Sequence, residues 1–249
     1  MPQYWRTSDV AREVGVHPNT VRNYEAWGYL SPVPRSPSGY RHFTATHVDQ
    51  MRLAFTILRY PYPGGKAPVE ALIHQVVTGD LGGALEGAYR YLARVRAESA
   101  EAESAARLLE RWVEGAPADA TSECLTIGAT AKLLGLSTDV LRNWERNGLL
   151  QVPRDTGNRY RRYGADEIER LRVIRMLRSA GYGIMAILRL LQQLDCGSLG
   201  DVRQALDTPP PDEDILTVAD RWLSTLRDTE ARALDGIRQL EHMIAQHRA

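Results

Sequence analysis

Two groups of residues suited to hydrogen-bonding nucleic-acid bases occur in this sequence, 120 positions apart. The first group is Arg22-Asn23-Tyr24 and the second is Arg142-Asn143-Trp144. A guanidinium can donate two hydrogen bonds to guanine, and an asparagine amide can pair with adenine. Asn19 lies three residues before Arg22, and Thr138 lies four residues before Arg142. We take all of these residues as candidate base contacts.

A second set of candidates follows in two loops rich in Pro, Gly and Ser, at residues 31–43 and 151–163. Arginines in such loops would hold phosphates, which positions a protein on DNA without recognising its sequence. The loop candidates are Tyr40, Arg41, Arg159, Tyr160, Arg161 and Arg162. For the aromatic candidates (Tyr24, Trp144, Tyr40 and Tyr160), packing within the domain is the alternative. We expect Glu25 and Glu145 to be ion-pair partners, because a carboxylate is repelled by phosphate.

The residues around each group predict a helix-turn-helix. The first predicted helices are Thr7–Glu13 and Ile127–Leu134, and each is followed by a turn at a glycine. The second helices run to Gly28 and Gly148, where glycine suits a helix C-cap. Helix, tight turn and helix at this spacing indicate the DNA-binding motif. The loop that follows is expected to form a small wing, and the two copies align without a gap from residue 5 to residue 58.

Helical periodicity continues after each wing. Shorter helices are predicted at Ala45–Leu58, Val69–Val77, Ala165–Arg178 and Ile184–Leu194. From Leu81 to Glu114, apolar or small residues recur in alternating steps of four and three, as in a coiled coil. The positions are 81, 85, 88, 92, 95, 99, 102, 106, 109 and 113. A second long helix with a looser seam is predicted from about Asp212, after three prolines.

The charges follow the repeat. The chain has 31 basic and 31 acidic residues, but residues 1–60 carry a net +3 and residues 61–120 carry −3. Residues 121–182 carry +4 and residues 183–249 carry −4. Nucleic-acid binding depends on local positive charge, so a neutral total does not argue against it. Each copy is a basic domain followed by an acidic helical segment.

Several classes of protein are disfavoured by the sequence. The chain has no long apolar run and no signal-peptide core at its N-terminus, so we expect a cytoplasmic protein without a membrane span. Its two cysteines, Cys124 and Cys196, are expected to be plain thiols. A phosphate-binding glycine loop, a cluster of metal ligands and a nucleophile with its base are all missing at recognisable spacings. We therefore expect no enzyme activity, no cofactor and no metal.

At these motifs the chain resembles the bacterial MerR (mercury-resistance regulator) family. The family pattern is an Arg-aromatic-aromatic-Glu stretch, then Gly-Leu-Leu, then a Gly-Tyr-Arg-x-Tyr wing. The chain matches it as Arg22–Glu25, Gly28–Leu30 and Gly39–Phe43, and again as Arg142–Glu145, Gly148–Leu150 and Arg159–Tyr163. It departs from the pattern at Asn23 and Asn143, where an aromatic or Arg is usual, and at Arg159, which replaces the wing glycine. It also lacks the cysteine cluster of metal-sensing members.

The resemblance implies a mainly α fold with two winged helix-turn-helix domains, each followed by a long coiled-coil helix. It also implies a transcriptional regulator that binds double-stranded promoter DNA, distorts it, and has RNA polymerase and a small-molecule effector as candidate partners. Family members form homodimers through antiparallel pairing of the long helix. Here one chain contains both halves, so we expect the two long helices to pair antiparallel within the chain. The protein would then be a monomeric pseudo-dimer on a pseudo-palindromic operator with two non-identical half-sites.

The same considerations predict five segments. They are a first winged domain (1–80), a first long helix (81–114), a linker (115–123), a second winged domain (124–208) and a second long helix (209–249). A 34-residue helix is about 50 Å long, and a nine-residue linker spans up to about 30 Å. Together they allow the second domain to begin near the far end of the first long helix.

A different class of function uses the same scaffold. A small-molecule-binding resistance protein would sequester a drug in a pocket between the coiled coil and the winged domains. The candidate pocket residues are Tyr89, Tyr91, Trp112, Tyr182 and Trp222. Aromatic residues at such helical positions more often belong to the core. A gel shift with the chain's own upstream DNA would separate this alternative from the regulator.

Overall fold

The structure is a computed structural model that describes residues 4–114, 124–197, 200–207 and 221–248. The predicted linker at 115–123 and the predicted start of the last helix at Asp212 lie outside these ranges. Pairing of extended segments in the described ranges is limited to isolated bridges. The helices of the described residues are α1 (Thr7–Val14), α2 (Pro18–Ala26), α3 (Ala45–Ile57), α4 (Ala67–Thr78), α5 (Leu81–Val113), α6 (Ile127–Leu134), α7 (Thr138–Arg146), α8 (Ala165–Ser179), α9 (Ile184–Asp195), α10 (Val202–Asp207) and α11 (Trp222–Arg248).

The repeat extends to the structure. Helices α1 and α2 are followed 120 positions later by α6 and α7, and α8 begins 120 positions after α3. The turns after α1 and α6 are at Gly15 and Gly135, whose φ angles of 75° and 62° lie in the left-handed region that favours glycine. The mainly α fold with two winged helix-turn-helix domains is confirmed. Helix α10 was not predicted.

The ungapped alignment of the two wings is wrong by one residue. Backbone bridges pair Arg35 with Arg41 in the first wing, but Arg154 with Arg161 in the second. An offset of 120 would have put residue 155 in that position. The second copy is one residue shorter before the wing and one residue longer in the wing turn. Because the two differences cancel, the sequences align again at Tyr40 and Tyr160, and the sequence alone does not show the shift.

The chain divides into two compact units. The first contains residues 1–97 and 226–249, and the second contains residues 98–225. Helix α5 therefore belongs to the first unit over its N-terminal half and to the second over its C-terminal half. The five segments predicted from the sequence describe the order of elements along the chain, and they stay a prediction. The two units describe which parts of the chain pack together.

In the first unit, the C-terminal part of α11 packs antiparallel against the N-terminal half of α5. The Tyr89 hydroxyl donates to Glu241 at 3.1 Å, and Arg96 Nε donates to Glu230 at 2.7 Å, so higher numbers on α5 meet lower numbers on α11. Apolar residues of α11 share one buried cluster with α1 to α5. They are Ala233, Ile237, Leu240 and Met243. The approach is close at Gly236, where a Cβ would lie 2.8 Å from Ile57.

The second unit is closed by the C-terminal half of α5 and by α10. The fully buried Tyr182 donates its hydroxyl hydrogen bond to the carbonyl of Ala102 on α5 at 3.2 Å. Arg203 of α10 binds both Glu103 and Glu110 of α5. Trp222, at the start of α11, donates its indole N–H to Ala180 at 2.9 Å. The predicted seam of α5 is buried at positions 88, 92, 95, 102, 106 and 109, but Val113 is 37% exposed.

Candidate nucleic-acid interface

The second helix of each motif presents its polar residues to solvent. In α2, Asn19, Arg22 and Asn23 are exposed, and Arg22 Nη1 donates to Asn19 Oδ1 at 2.7 Å. This contact spans three residues, which places both side chains on one face of the helix. A helix-turn-helix places this part of its second helix against base edges in the major groove. The geometry therefore keeps Arg22 and Asn19 together on the face that would meet DNA.

In α7 the equivalent arginine has an acidic partner. Arg142 Nη1 donates to Asp139 Oδ1 at 2.9 Å, and both side chains are at least half exposed. Thr138, at the first position of α7, is half-buried. The position of Asp139 in the repeat is that of Asn19 in the first copy. The two recognition helices thus differ by one negative charge beside their shared arginine.

The two candidate asparagines also differ. Asn143 accepts a hydrogen bond at its Oδ1 from Asn147 Nδ2 at 3.2 Å, and its backbone carbonyl accepts another at 2.7 Å. In the first copy Trp27 stands in place of Asn147, and it is 62% exposed. Pairing with adenine uses both the oxygen and the amino group of an asparagine. Asn23 offers both groups, whereas Asn143 shares its oxygen with Asn147.

Tyr24 and Trp144 lie in the cores of their domains. They are 9% and 5% exposed, and burial raises the pKa of the Tyr24 hydroxyl. Side chains so enclosed stabilise the packing of α2 and α7 on the rest of each domain. We therefore revise their candidate role from DNA contact to packing, which was the alternative considered for them.

Each wing is held to its recognition helix by one glutamate. Arg161 Nε donates to Glu145 Oε2 at 2.6 Å, and the equivalent bond joins Arg41 to Glu25. Arg154 and Arg35, one strand across, approach the same two carboxylates at 3.9 and 3.7 Å. The bond to Glu145 raises the pKa of the Arg161 guanidinium. The expectation that both glutamates form ion pairs agrees with this geometry. Arg41 and Arg161 anchor the wings, and their contact with phosphate stays a prediction.

The wing tips remain as exposed candidates. Tyr40 and Tyr160 are 72% and 71% exposed, and Arg159 and Arg162 are also exposed. Large exposed aromatic rings beside cations are typical of surfaces that contact sugar and phosphate. The backbone of Tyr40 is held by Ser36, whose hydroxyl accepts from its N–H at 3.0 Å. The tips are therefore ordered by their own turns.

Sequence reasoning missed three residues of this surface. Arg35 and Arg154 are the second arginines that approach Glu25 and Glu145. Asn147 donates a hydrogen bond to the side chain of Asn143 on α7. The four-residue spacing from Asn143 to Asn147 was a signal that could have been used, since such pairs face each other on a helix. Arg35 and Arg154 do not align at an offset of 120, which hid their equivalence.

Comparison with known proteins identifies the repeated motif. A family model described as "MerR family regulatory protein" matches residues 6–43, and one described as "MerR HTH family regulatory protein" matches residues 125–194. The chain carries two MerR-family domains in tandem. This confirms the resemblance found at the two motifs, and both matches include the recognition helix.

The curated relatives are similar over one domain. A probable heavy metal-dependent transcriptional regulator of Haemophilus influenzae is 38% identical over 71 residues, which is 28% of this chain and 56% of that protein. A mercuric resistance operon regulatory protein of Serratia marcescens is 36% identical over 76 residues, 30% of this chain and 52% of that protein. The chain thus spans about half the length of the curated relatives it matches. No solved structure was found to match it.

The MerR-type domains contain no recognisable metal site within the ranges that the structure describes. No group of three or more His, Cys, Asp or Glu side chains there is arranged to hold a metal ion. Cys124 and Cys196 are free and exposed. Among the described helices, none is both long and apolar enough to cross a membrane.

The candidate pocket aromatics are divided between the two units. Tyr89 and Tyr91 belong to the first unit, and the other three belong to the second. Tyr91 and Tyr182 are buried, and Trp222 is fixed by its bond to Ala180, so these three pack within the fold. Tyr89 is half exposed and bonded to Glu241. Trp112 lines a cavity of about 630 Å³ in the second unit.

Proposed function

We propose that this protein is a DNA-binding transcriptional regulator in which one chain supplies both recognition units. The observation that carries the proposal is the presence of two complete MerR-type surfaces, each with an exposed arginine on its recognition helix and a wing anchored to that helix. Two such surfaces on one chain suit a pseudo-palindromic operator, because each half-site needs one recognition helix.

The chain also supplies the helix pairing that a dimer needs. Family resemblance associates the MerR fold with antiparallel pairing of the long helix between two chains. In the first unit, the partner of α5 is α11 of the same chain. A second chain is then not needed to complete the buried cluster around α5, so a monomer on one operator is the proposed binding state.

The half-sites should differ in sequence. Arg22 stands beside a neutral Asn19, while Arg142 stands beside the charged Asp139. Asn23 has its full amide to offer, while Asn143 shares its oxygen with Asn147. Each of these differences changes the hydrogen bonds that a helix can offer to base edges. The operator is therefore proposed to be asymmetric at the positions that these residues contact.

Binding to promoter DNA is proposed to distort it, as the family resemblance implies. Sequence-dependent deformability would then add to the specificity of direct contacts. RNA polymerase is the proposed partner through which this distortion changes transcription. Residues that contact phosphate would make the affinity strongly dependent on salt.

Footprinting with the purified chain tests the proposal. The full chain is incubated with DNA from its own upstream region, and protected positions are mapped with hydroxyl radicals at fixed salt. We expect two protected patches about one helical turn apart, about 34–36 Å, with unequal sequences. A double variant, Arg22→Ala with Arg142→Ala, should lose the footprint while keeping its thermal stability, since both arginines are exposed. No protection by the wild-type chain at low salt would contradict the proposal.

The cavity beside Trp112 supports an effector or a sequestered ligand as a second candidate. Its volume is in the range of small-molecule sites. Its charged lining consists of Asp166, Glu167, Glu169, Asp195 and Arg170. The excess of carboxylates favours a cationic compound. The tryptophan fluorescence of the chain is titrated with a cationic aromatic dye, and quenching that is lost in Trp112→Leu would assign the binding to this site. Binding without any DNA footprint would favour the sequestering alternative.

A further inference from the structure

The second wing has a longer tip than the first. In the first wing, the backbone N–H of Ser36 donates to the carbonyl of Tyr40 across three tip residues, Pro37 to Gly39. In the second wing, Asp155 and Tyr160 pair across four tip residues, Thr156 to Arg159. The longer tip is fixed by Asp155, whose carboxylate accepts from the N–H groups of Gly157 and Asn158. The two tips therefore differ in length while both are ordered.

Arg159 occupies an unusual position at this tip. Its φ of 62° is the only positive φ of a non-glycine residue in the described parts of the chain. Side chains seldom adopt this conformation because the Cβ approaches the following carbonyl. The first wing uses Gly39 there, at φ 82°. The second copy thus places a guanidinium where the backbone favours glycine.

The Arg159 guanidinium is also uncommitted. The side chain is exposed, and among the described residues the guanidinium has no hydrogen bond or ion pair. The arginines nearer the helix, Arg154 and Arg161, are both engaged by Glu145. In the first wing the arginines are both engaged by Glu25, and the tip residues are uncharged. Only the second wing presents a free cation at its tip.

The anchor to the recognition helix decides where this cation would lie. The wing is fixed to α7 at Arg154 and Arg161, and the tip extends about three residues further, or about 10 Å. A recognition helix occupies a major groove about 12 Å wide, so a point about 10 Å beside it lies across one phosphate strand, at the adjoining minor groove. A narrow minor groove over A·T pairs has an enhanced negative potential that attracts arginine.

We infer that Arg159 enters the minor groove beside the half-site bound by α7 and selects A·T base pairs there, while the first wing makes no such selection. The inference rests on the proposed function and adds a specificity-determining residue to it. The operator would carry an A·T requirement on one flank only.

Modified bases give the sharpest test. The starting probe is a duplex selected from a randomised library by the full-length chain. A tract of three pairs beside each half-site in turn is made A·T, G·C or inosine·C. Inosine·C shows the major groove of G·C but lacks the amino group that G·C places in the minor groove. At the flank of the half-site bound by α7, we expect the protein to bind duplexes with the A·T and inosine·C tracts equally well. It should bind the duplex with the G·C tract about five- to tenfold more weakly.

Three variants test whether Arg159 causes this preference. Arg159→Gly should reduce the preference to less than about twofold, and its fold should survive because glycine suits the positive φ. Arg159→Lys keeps the charge but should also lose most of the preference, because a strongly hydrated ammonium is costlier to desolvate in the groove. The control Arg162→Gln removes a neighbouring exposed cation; it should weaken all three duplexes alike and leave their ratio unchanged.

Each result decides for or against the inference. Equal affinities for all three tracts, a preference that follows the major groove, or a preference that persists in Arg159→Gly and Arg159→Lys would overturn it and leave the regulator proposal standing. Failure of the wild-type chain to enrich any sequence from the library would overturn the proposed function, and this inference with it.

Discussion

The two winged domains share their anchors and differ at their exposed surfaces. Both fix the wing to the recognition helix through one glutamate that binds two arginines, and both bury an aromatic residue of that helix in the core. Beside the shared arginine of the recognition helix, however, one domain has Asn19 and the other has Asp139. The buried contacts determine where the DNA-facing elements lie, and the exposed residues determine what they can contact.

A chain with two different surfaces suits the asymmetric operator proposed above. Two identical chains present identical surfaces to both half-sites. Once both domains are on one chain, each surface can differ without affecting the other, provided that the anchors are retained. The experiments below test whether the anchors and the exposed differences have these separate roles.

The largest effect is expected from removing the apolar contact of α11 with the first unit. Leu240 is fully buried in the cluster formed with α1 to α5, so Leu240→Ala should lower the free energy of unfolding by about 2–5 kcal/mol. Amide hydrogen exchange, measured by mass spectrometry, should rise in residues 4–97. The matched variant Leu109→Ala, at a fully buried position of α5 in the second unit, should raise exchange in residues 124–197 instead. Unchanged exchange in residues 4–97 of Leu240→Ala would contradict the packing of α11 in this unit.

The shared anchors are tested by Glu25→Gln and Glu145→Gln. Both carboxylates are largely buried and each binds two arginines, so each change should destabilise the wing by about 1 kcal/mol. DNA affinity, measured by fluorescence anisotropy, should fall although a negative charge is removed. Glu13→Gln, at an exposed carboxylate of α1, is the control for net charge and should leave affinity unchanged or slightly higher. A rise in affinity on changing Glu25 or Glu145 would show that these residues act only as unfavourable charges.

The exposed difference is tested by exchanging one residue in each direction. Asp139→Asn gives α7 the neutral neighbour that α2 has, and it should raise DNA affinity about three- to tenfold at low salt, because the carboxylate no longer competes with phosphate for Arg142. Asn19→Asp should lower affinity by a similar factor. Both effects should shrink as salt is added. Equal responses of the same sign would mean that these positions do not face DNA.

The smallest effect concerns acid stability. Arg170 forms two hydrogen bonds with Asp195 in the second domain and lowers the pKa of that carboxyl below its ordinary value of 3.8. A lowered folded-state pKa gives stability that is present above pH 3.8 and is lost as the pH falls through the folded value. Because Asp195 is 53% exposed, the loss should be under about 1 kcal/mol.

Urea unfolding at pH 6 and pH 3 measures this contribution. The drop in midpoint between the two pH values should be smaller in Asp195→Asn than in the wild type. The first domain has Gln50 in place of Arg170, and Gln50 accepts from the Ser31 backbone instead. An equal drop in Asp195→Asn would show that this carboxylate does not contribute to the loss of stability in acid.

Much of the fold could be predicted from the sequence because the signals are local. The glycine turns and the apolar spacing gave α2, α7 and their partner helices to within about two residues at each end. The long helix α5 followed from its heptad-like seam. Helix α10 was missed because its six residues are too short to show a period.

The residues of the candidate site could be predicted from the sequence more fully than the contacts that they make with one another. Arg22 and Arg142 were identified from their type and position, and both are exposed on the predicted face. The ion pairs of Arg41 and Arg161 could not be predicted, because the sequence does not show that a glutamate sixteen residues earlier lies within 3 Å in the second copy. Likewise, the compensating one-residue changes around the wing could be found only from backbone pairing, because sequence identity is the same on both sides of them.

One chain is proposed to occupy one operator. The most direct test is native mass spectrometry of the full chain with a selected operator duplex, supported by light scattering of the free protein at low concentration. We expect a free species of 27.9 kDa and a complex that contains one chain per duplex. An obligate dimer in the free state, or two chains on every duplex at stoichiometric protein, would contradict it.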